Sequence, residues 1–119
     1  MMRILIVDDS AVSRELLREA LAPLDVEMFE CTDGAGAIAE YAVLHPDLVL
    51  MDIQMPVCDG LSATEKIRAS DPGARVLIVS QFDAREYRSE ARRVGAEQYF
   101  LKQQILDLVS YIDDQICPN

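Results

Sequence analysis

Four short apolar runs each end on a group capable of chemistry. Asp8 and Asp9 follow Arg3-Ile4-Leu5-Ile6-Val7, and Asp52 follows Leu48-Val49-Leu50-Met51. Ser80 follows Val76-Leu77-Ile78-Val79, and Lys102 follows Tyr99-Phe100-Leu101. Taken singly, each has an ordinary reading: Asp8-Asp9-Ser10 and Ser80 as helix caps, Asp52 as a loop residue, Lys102 as a solvated charge. As ends of strands in one parallel sheet, however, they converge in a single crevice. Two carboxylates about 4 Å apart repel by roughly 4 kcal/mol at an effective dielectric of 20. Three together need a cation or a proton. Oxygen-only donors favour a hard divalent ion such as Mg²⁺, and a lysine ammonium suits a phosphoryl group. The combination describes phosphoryl chemistry with a carboxylate as covalent acceptor.

The elements that must position these groups alternate along the chain. The β-branched run ending at Val7 predicts a strand buried on both faces. A helix follows over Ser10–Ala22, with apolar positions Val12, Leu16, Leu17 and Leu21, and Pro23 stops it. A second strand over Val26–Phe29 leads to a helix over Asp33–Leu44, weakened at its start by Gly34 and Gly36. After the turn at His45-Pro46 come the strand Leu48–Met51, a loop from Asp52 to Gly60 and a helix over Leu61–Ala69. The strand Val76–Val79, a helix over Asp83–Val94 capped by Gly95, and the strand Tyr99–Leu101 complete the pattern. A last helix turns Ile105, Leu108, Val109, Ile112 and Ile116 to the sheet. This β-α alternation predicts an α/β fold, a five-stranded parallel sheet with helices on both faces.

Composition sets the outer bounds. The 119 residues carry a net charge of −10 and are 50% hydrophobic, with a pI near 4.4. That argues for one folded domain over residues 1–119 and against direct nucleic-acid binding, which needs a basic surface. Cys31, Cys58 and Cys117 are too scattered for a disulfide framework or zinc cluster and suit a reducing cytosol. No apolar run approaches the roughly 18 residues of a membrane span, and Met1-Met2-Arg3-Ile4 lacks a signal-peptide layout, so a cytoplasmic protein is expected. His45, the one histidine, reads as solvated, Met28 and Met51 as core, and Cys58 as a plain loop thiol.

From Arg3 to about Ile112 the chain resembles the receiver domains of bacterial two-component response regulators. The resemblance is carried by Ile4-Leu5-Ile6-Val7-Asp8-Asp9-Ser10, by Leu50-Met51-Asp52-Ile53-Gln54-Met55-Pro56 with Asp59-Gly60, by Val79-Ser80, and by Gly95-Ala96, Tyr99 and Lys102. It implies a doubly wound (βα)5, flavodoxin-like sheet of order 2-1-3-4-5. It further implies that Asp52 is the phosphoacceptor, loaded by a histidine kinase or histidine phosphotransfer protein. Asp9, Asp52 and the main-chain carbonyl of Gln54 would hold Mg²⁺, with Asp8 acting through water. Lys102 and Ser80 would bind phosphoryl oxygens, and Tyr99 would be an aromatic switch responding to Ser80. The chain would then be a signalling domain that phosphorylates and slowly dephosphorylates itself, not an enzyme acting on other molecules.

Two positions depart from the family's usual pattern: Gln103 stands where most receivers have a proline, and Gln81 where most have a small residue. A non-proline cis bond costs about 2.5–4 kcal/mol, so a trans link is expected after Lys102. Ser80-Gln81-Phe82-Asp83 without that proline resembles receivers of LuxR-type regulators. No helix-turn-helix follows within these residues, so the expected output is contact with a downstream protein or a second copy. Arg85, Arg88 and Arg92 share one helical face and, with Tyr99, form a possible output surface opposite the acidic Asp107, Asp113 and Asp114. A solvated face balanced by Glu86 and Glu90 is the competing reading. Gln81 and Phe82 would wall the site and prolong the phosphoryl lifetime, unless Gln81 orients a water.

Three other functions compete. A pseudo-receiver would bind partners without phosphorylation. A haloacid-dehalogenase-type phosphatase would need an acid two positions after the nucleophile, where Gln54 cannot donate a titrating proton. Gly34-Ala35-Gly36-Ala37-Ile38-Ala39 matches a loose dinucleotide fingerprint, but it follows the second strand with nothing else to support it. There it reads as a small-residue helix start, closely packed or mobile.

Overall fold

Residues 1–116 are described by a computed structural model; Cys117 lies outside them. In chain order the elements are β1 (Met2–Val7), α1 (Ala11–Leu21), β2 (Val26–Cys31), α2 (Gly34–Leu44), β3 (Leu48–Met51), α3 (Gly60–Ser70), β4 (Val76–Ser80), α4 (Arg85–Arg93), β5 (Gln98–Leu101) and α5 (Ile105–Ile116). The strands form one parallel sheet in the order β2-β1-β3-β4-β5. Side chains alternate across it. Leu5, Val7, Val49, Met51 and Ile78 meet Ala37 and Tyr41 of α2, Ala63 and Ile67 of α3 and Ala91 of α4. Ile4, Ile6, Leu48, Leu50, Leu77 and Val79 meet Leu17 and Leu21 of α1 and Leu108 and Ile112 of α5. The central strands are apolar over Ile4–Val7, Leu48–Met51 and Val76–Val79, where both their faces are covered. His45 is exposed, Met51 buried and Met28 half-buried.

Several elements differ from the sequence reading. β2 runs on to Cys31, since at the sheet edge it tolerates the exposed Glu27 and Glu30 that break its apolar run. Only Leu17 and Leu21 of the α1 repeat are buried. Val12 is 71% and Leu16 54% exposed, because that pair lies about 140° around the helix from the buried one. Asp33 is an N-cap and not a helical residue, and α3 starts one residue earlier than expected, at Gly60, with Asp59 as its N-cap; each aspartate accepts from the backbone N–H three positions on. α4 begins at Arg85, because Asp83 is drawn outward by Arg88 Nε at 2.7 Å, and Ala84 caps without a side-chain bond. Its end agrees with expectation, with Gly95 at φ +93° and its N–H bonded to Arg92 O. Among the described residues no peptide bond is cis, so the Lys102–Gln103 link is trans.

Candidate phosphoryl site

The register places the acidic groups side by side. Val7 pairs with Met51, so Asp8 and Asp52 leave adjacent central strands at the same level, and the Asp52 N–H donates to Val7 O at 2.9 Å. Ser80 pairs with Leu101, which sets Lys102 one step beyond the edge of β5. These ends flank the point where the strand order reverses, the usual ligand crevice of an open α/β sheet. One carboxylate oxygen from each of Asp8, Asp9 and Asp52 lies within 4.8 Å of the others. Asp8 and Asp52 are buried and Asp9 is exposed.

The loop behind Asp52 depends on two close approaches. A Cβ on Gly60 would sit 1.7 Å from the Asp52 carbonyl oxygen, so no larger residue fits there. A Cβ on Gly34 would sit 2.3 Å from the Cys58 carbonyl, to which the Gly34 N–H donates at 3.0 Å. The apparent dinucleotide fingerprint is thus a packing device, and it docks α2 on the loop. Between them, Cys58 N–H bonds back to Pro56 O at 2.8 Å around Val57, whose φ of 69° makes a strained, positive-φ γ-turn.

Lys102 Nζ lies 2.8 Å from Asp8 Oδ2 and 3.7 Å from Asp52 Oδ2, and donates to Ser13 Oγ at 3.1 Å. Asp8 Oδ1 accepts from Ser10 N–H at 2.8 Å, and Arg14 donates to the Asp8 carbonyl at 2.8 Å. Asp52 Oδ1 accepts from Ile53 N–H at 2.9 Å. Burial pushes the Asp52 carboxyl up to about 6; the charges of Asp8 and, less, Asp9 add to the rise, and Lys102 and the Ile53 N–H oppose it. Burial likewise raises the Cys31 thiol to about 11, which leaves it unreactive. Ser80 is fully buried, and its Oγ accepts from Phe82 N–H at 3.0 Å. Asp9, Asp52, Lys102, Gln54, Gln81 and Phe82 line a cavity of about 290 Å³.

Tyr99 is half-buried, and its hydroxyl donates to Phe82 O at 2.6 Å. The Arg88 guanidinium lies 4.5 Å from the Tyr99 ring centroid. Arg85 and Arg92 are exposed, and Arg88, Arg92 and Tyr99 border a second cavity of about 230 Å³. Arg93, on the adjoining side, pairs with Glu90 and Glu65. The structure therefore brings Asp8, Asp9, Asp52, Gln54 and Lys102 together, with Ser80 behind the cavity and Tyr99 with the arginines on a neighbouring face. Sequence reasoning missed Ser13 and Arg14. Their only signal is helical spacing from Ser10, which carries no chemistry of its own. It also missed Tyr87, whose hydroxyl accepts from Gln54 Nε2 at 2.9 Å.

A doubly wound sheet of order 2-1-3-4-5, with an acidic crevice and a lysine at its carboxyl edge, defines a flavodoxin-like domain equipped for a cation and a phosphoryl group. The model of the response regulator receiver domain matches residues 4–113, and the chain belongs to that family. Chemotaxis protein CheY of Halobacterium salinarum is 38% identical over 116 residues, covering 91% of this chain and 93% of its own. A DNA-binding response regulator of the LuxR family from Staphylococcus aureus has a TM-score of 0.89 at 26% identity, covering 96% of this chain and 98% of that one. A LuxR-family two-component response regulator from Aurantimonas sp. SI85-9A1 has a TM-score of 0.88 at 31% identity, covering 96% and 84%. The last two agree with the likeness carried by Ser80-Gln81-Phe82-Asp83.

Proposed function

We propose that Asp52 accepts a phosphoryl group from the phosphohistidine of a histidine kinase or phosphotransfer protein in the cytosol. A carboxylate oxygen of Asp52 bonds to phosphorus as the histidine P–N bond breaks, and the imidazole leaves. The observation that carries this reading is the meeting of Asp8, Asp9 and Asp52 within 4.8 Å beside Lys102. All the donors are oxygens, which fits Mg²⁺. Asp9, Asp52 and the Gln54 carbonyl would hold it, with Asp8 acting through water, and it would neutralise charge on the transferring group. Lys102, already between Asp8 and Asp52, supplies a point charge for one phosphoryl oxygen. Ser80 Oγ accepts from Phe82, which leaves its own proton free to donate to another. That draw on Ser80 reaches Tyr99 through Phe82, whose N–H and carbonyl serve the two residues. The signal then leaves through the face of Arg85, Arg88, Arg92 and Tyr99 to a protein partner or a second copy.

Intact mass after treatment with acetyl phosphate and Mg²⁺ tests the reading. One added phosphoryl group, absent from Asp52→Asn, is the expected result. Equal labelling of the variant refutes the assignment, no labelling marks a pseudo-receiver, and continued turnover of the donor marks a phosphatase.

A further inference from the structure

Tyr87 ties together the two loops that border the cavity over Asp52. Its hydroxyl oxygen accepts from Gln54 Nε2 at 2.9 Å, and its ring centroid lies 5.8 Å from that of Phe82, tilted by 54°. Gln54 belongs to the loop after β3 and Phe82 to the loop after β4, and both line the cavity. The backbone of Phe82 is fixed by Ser80 and Tyr99, whereas its ring leans on Tyr87. The Gln54 side chain is exposed, and a free glutamine samples many rotamers.

We infer that Tyr87 is a positioning residue that holds the mouth of the phosphoryl cavity narrow and so prolongs the life of the phosphoryl group on Asp52. The inference rests on the phosphoacceptor reading above. In hydrolysis a water oxygen bonds to phosphorus while the bond between phosphorus and the Asp52 oxygen breaks. The carboxylate is restored, and inorganic phosphate departs with the protons of the water. The water must arrive in line, from the side away from Asp52, where the cavity opens. With its amide donating to Tyr87, Gln54 is fixed between the loop and α4. Released, it clears the entrance to the in-line water, and hydrolysis speeds up.

The test follows loss of the label by intact mass after removal of acetyl phosphate, in wild type, Tyr87→Phe, Gln54→Ala and the double variant. Tyr87→Phe keeps the ring against Phe82 and removes the hydroxyl. Its decay is expected to be about three- to tenfold faster, the range one neutral hydrogen bond allows. Gln54→Ala should be comparably fast, and the double variant no faster than Gln54→Ala, because the hydroxyl acts through Gln54. A Tyr87→Phe lifetime equal to wild type overturns the inference, as do effects that multiply in the double variant. If wild type takes no label, the phosphoacceptor reading itself fails, a result distinct from labelled proteins that decay alike.

Discussion

The crowded carboxylates should cost the fold stability, and the cost can be read with one substitution. Asp52 titrates at about 6 in the fold against an ordinary 3.8. Its native carboxyl therefore binds a proton more tightly than the unfolded chain does. Between about pH 4 and 6 the native state holds more protons, so stability falls as pH rises through that window. Above it the full penalty is present, about 3 kcal/mol, and below about pH 4 it is absent. Asp52→Asn removes the charge and keeps an oxygen for the Ile53 N–H, but it brings an amide NH2 that must find an acceptor in a buried site; the attraction of Lys102 at 3.7 Å that is lost with the charge is already counted in the penalty. The net gain at pH 7.5 should be about 1–3 kcal/mol, or roughly 4–12 °C in Tm for a chain of this size.

Urea denaturation of both proteins in EDTA, at pH 7.5 and pH 4, measures it. Comparing variant with wild type at each pH cancels the other titrating groups. The gain should be present at pH 7.5, gone at pH 4, and reduced at pH 7.5 by Mg²⁺, which stabilises whichever native state binds it. Equal stabilities at pH 7.5 would refute the reasoning, and so would a gain that survives at pH 4.

Val57→Gly should add about 1 kcal/mol in urea denaturation, since Val57 is 84% exposed and holds φ at 69°, where a β-branched residue is strained and glycine is not; an unchanged or lower midpoint removes the claim of strain. Arg88→Glu with Arg92→Glu should abolish any phosphorylation-dependent self-association seen by light scattering, and in wild type that association should weaken with salt. An identical response of both proteins to phosphorylation would place the output elsewhere than α4.

The sheet could be read in the sequence because β1, β3 and β4 are covered on both faces and spell themselves as unbroken apolar runs. Asp8, Asp9, Asp52 and Lys102 could be read because each directly follows such a run, so strand pairing alone fixes their meeting. What failed depended on choices made around an element's axis or between distant loops. Val12 and Leu16 share the spacing of Leu17 and Leu21, and only the seating of α1 against α5 decides which pair is covered. The Gln54–Tyr87 bond spans 33 positions between an exposed loop and a polar helix. No periodicity or composition marks that pair, since its geometry arises only when α4 settles beside the loop after β3.

Phe82 shows why the parts of the site that were hardest to read are also the ones that join it to the surface. Its N–H serves Ser80, its carbonyl serves Tyr99 and its ring touches Tyr87. Nothing in a lone phenylalanine after a strand announces such a junction. Yet a shift of Ser80 Oγ would strain or break its bond to the Phe82 N–H, and the carbonyl of that residue is the acceptor of the Tyr99 hydroxyl. Tyr99 in turn lies under the Arg88 guanidinium, which is also bound to Asp83 in the same loop. The chemical groups at the strand ends are thus rigidly placed by the sheet, whereas their connection to the arginine face runs through one short loop held by single hydrogen bonds. Each such bond has a net worth of about 0.5–1.5 kcal/mol, so a small change in the interactions of Ser80 is enough to rearrange the loop.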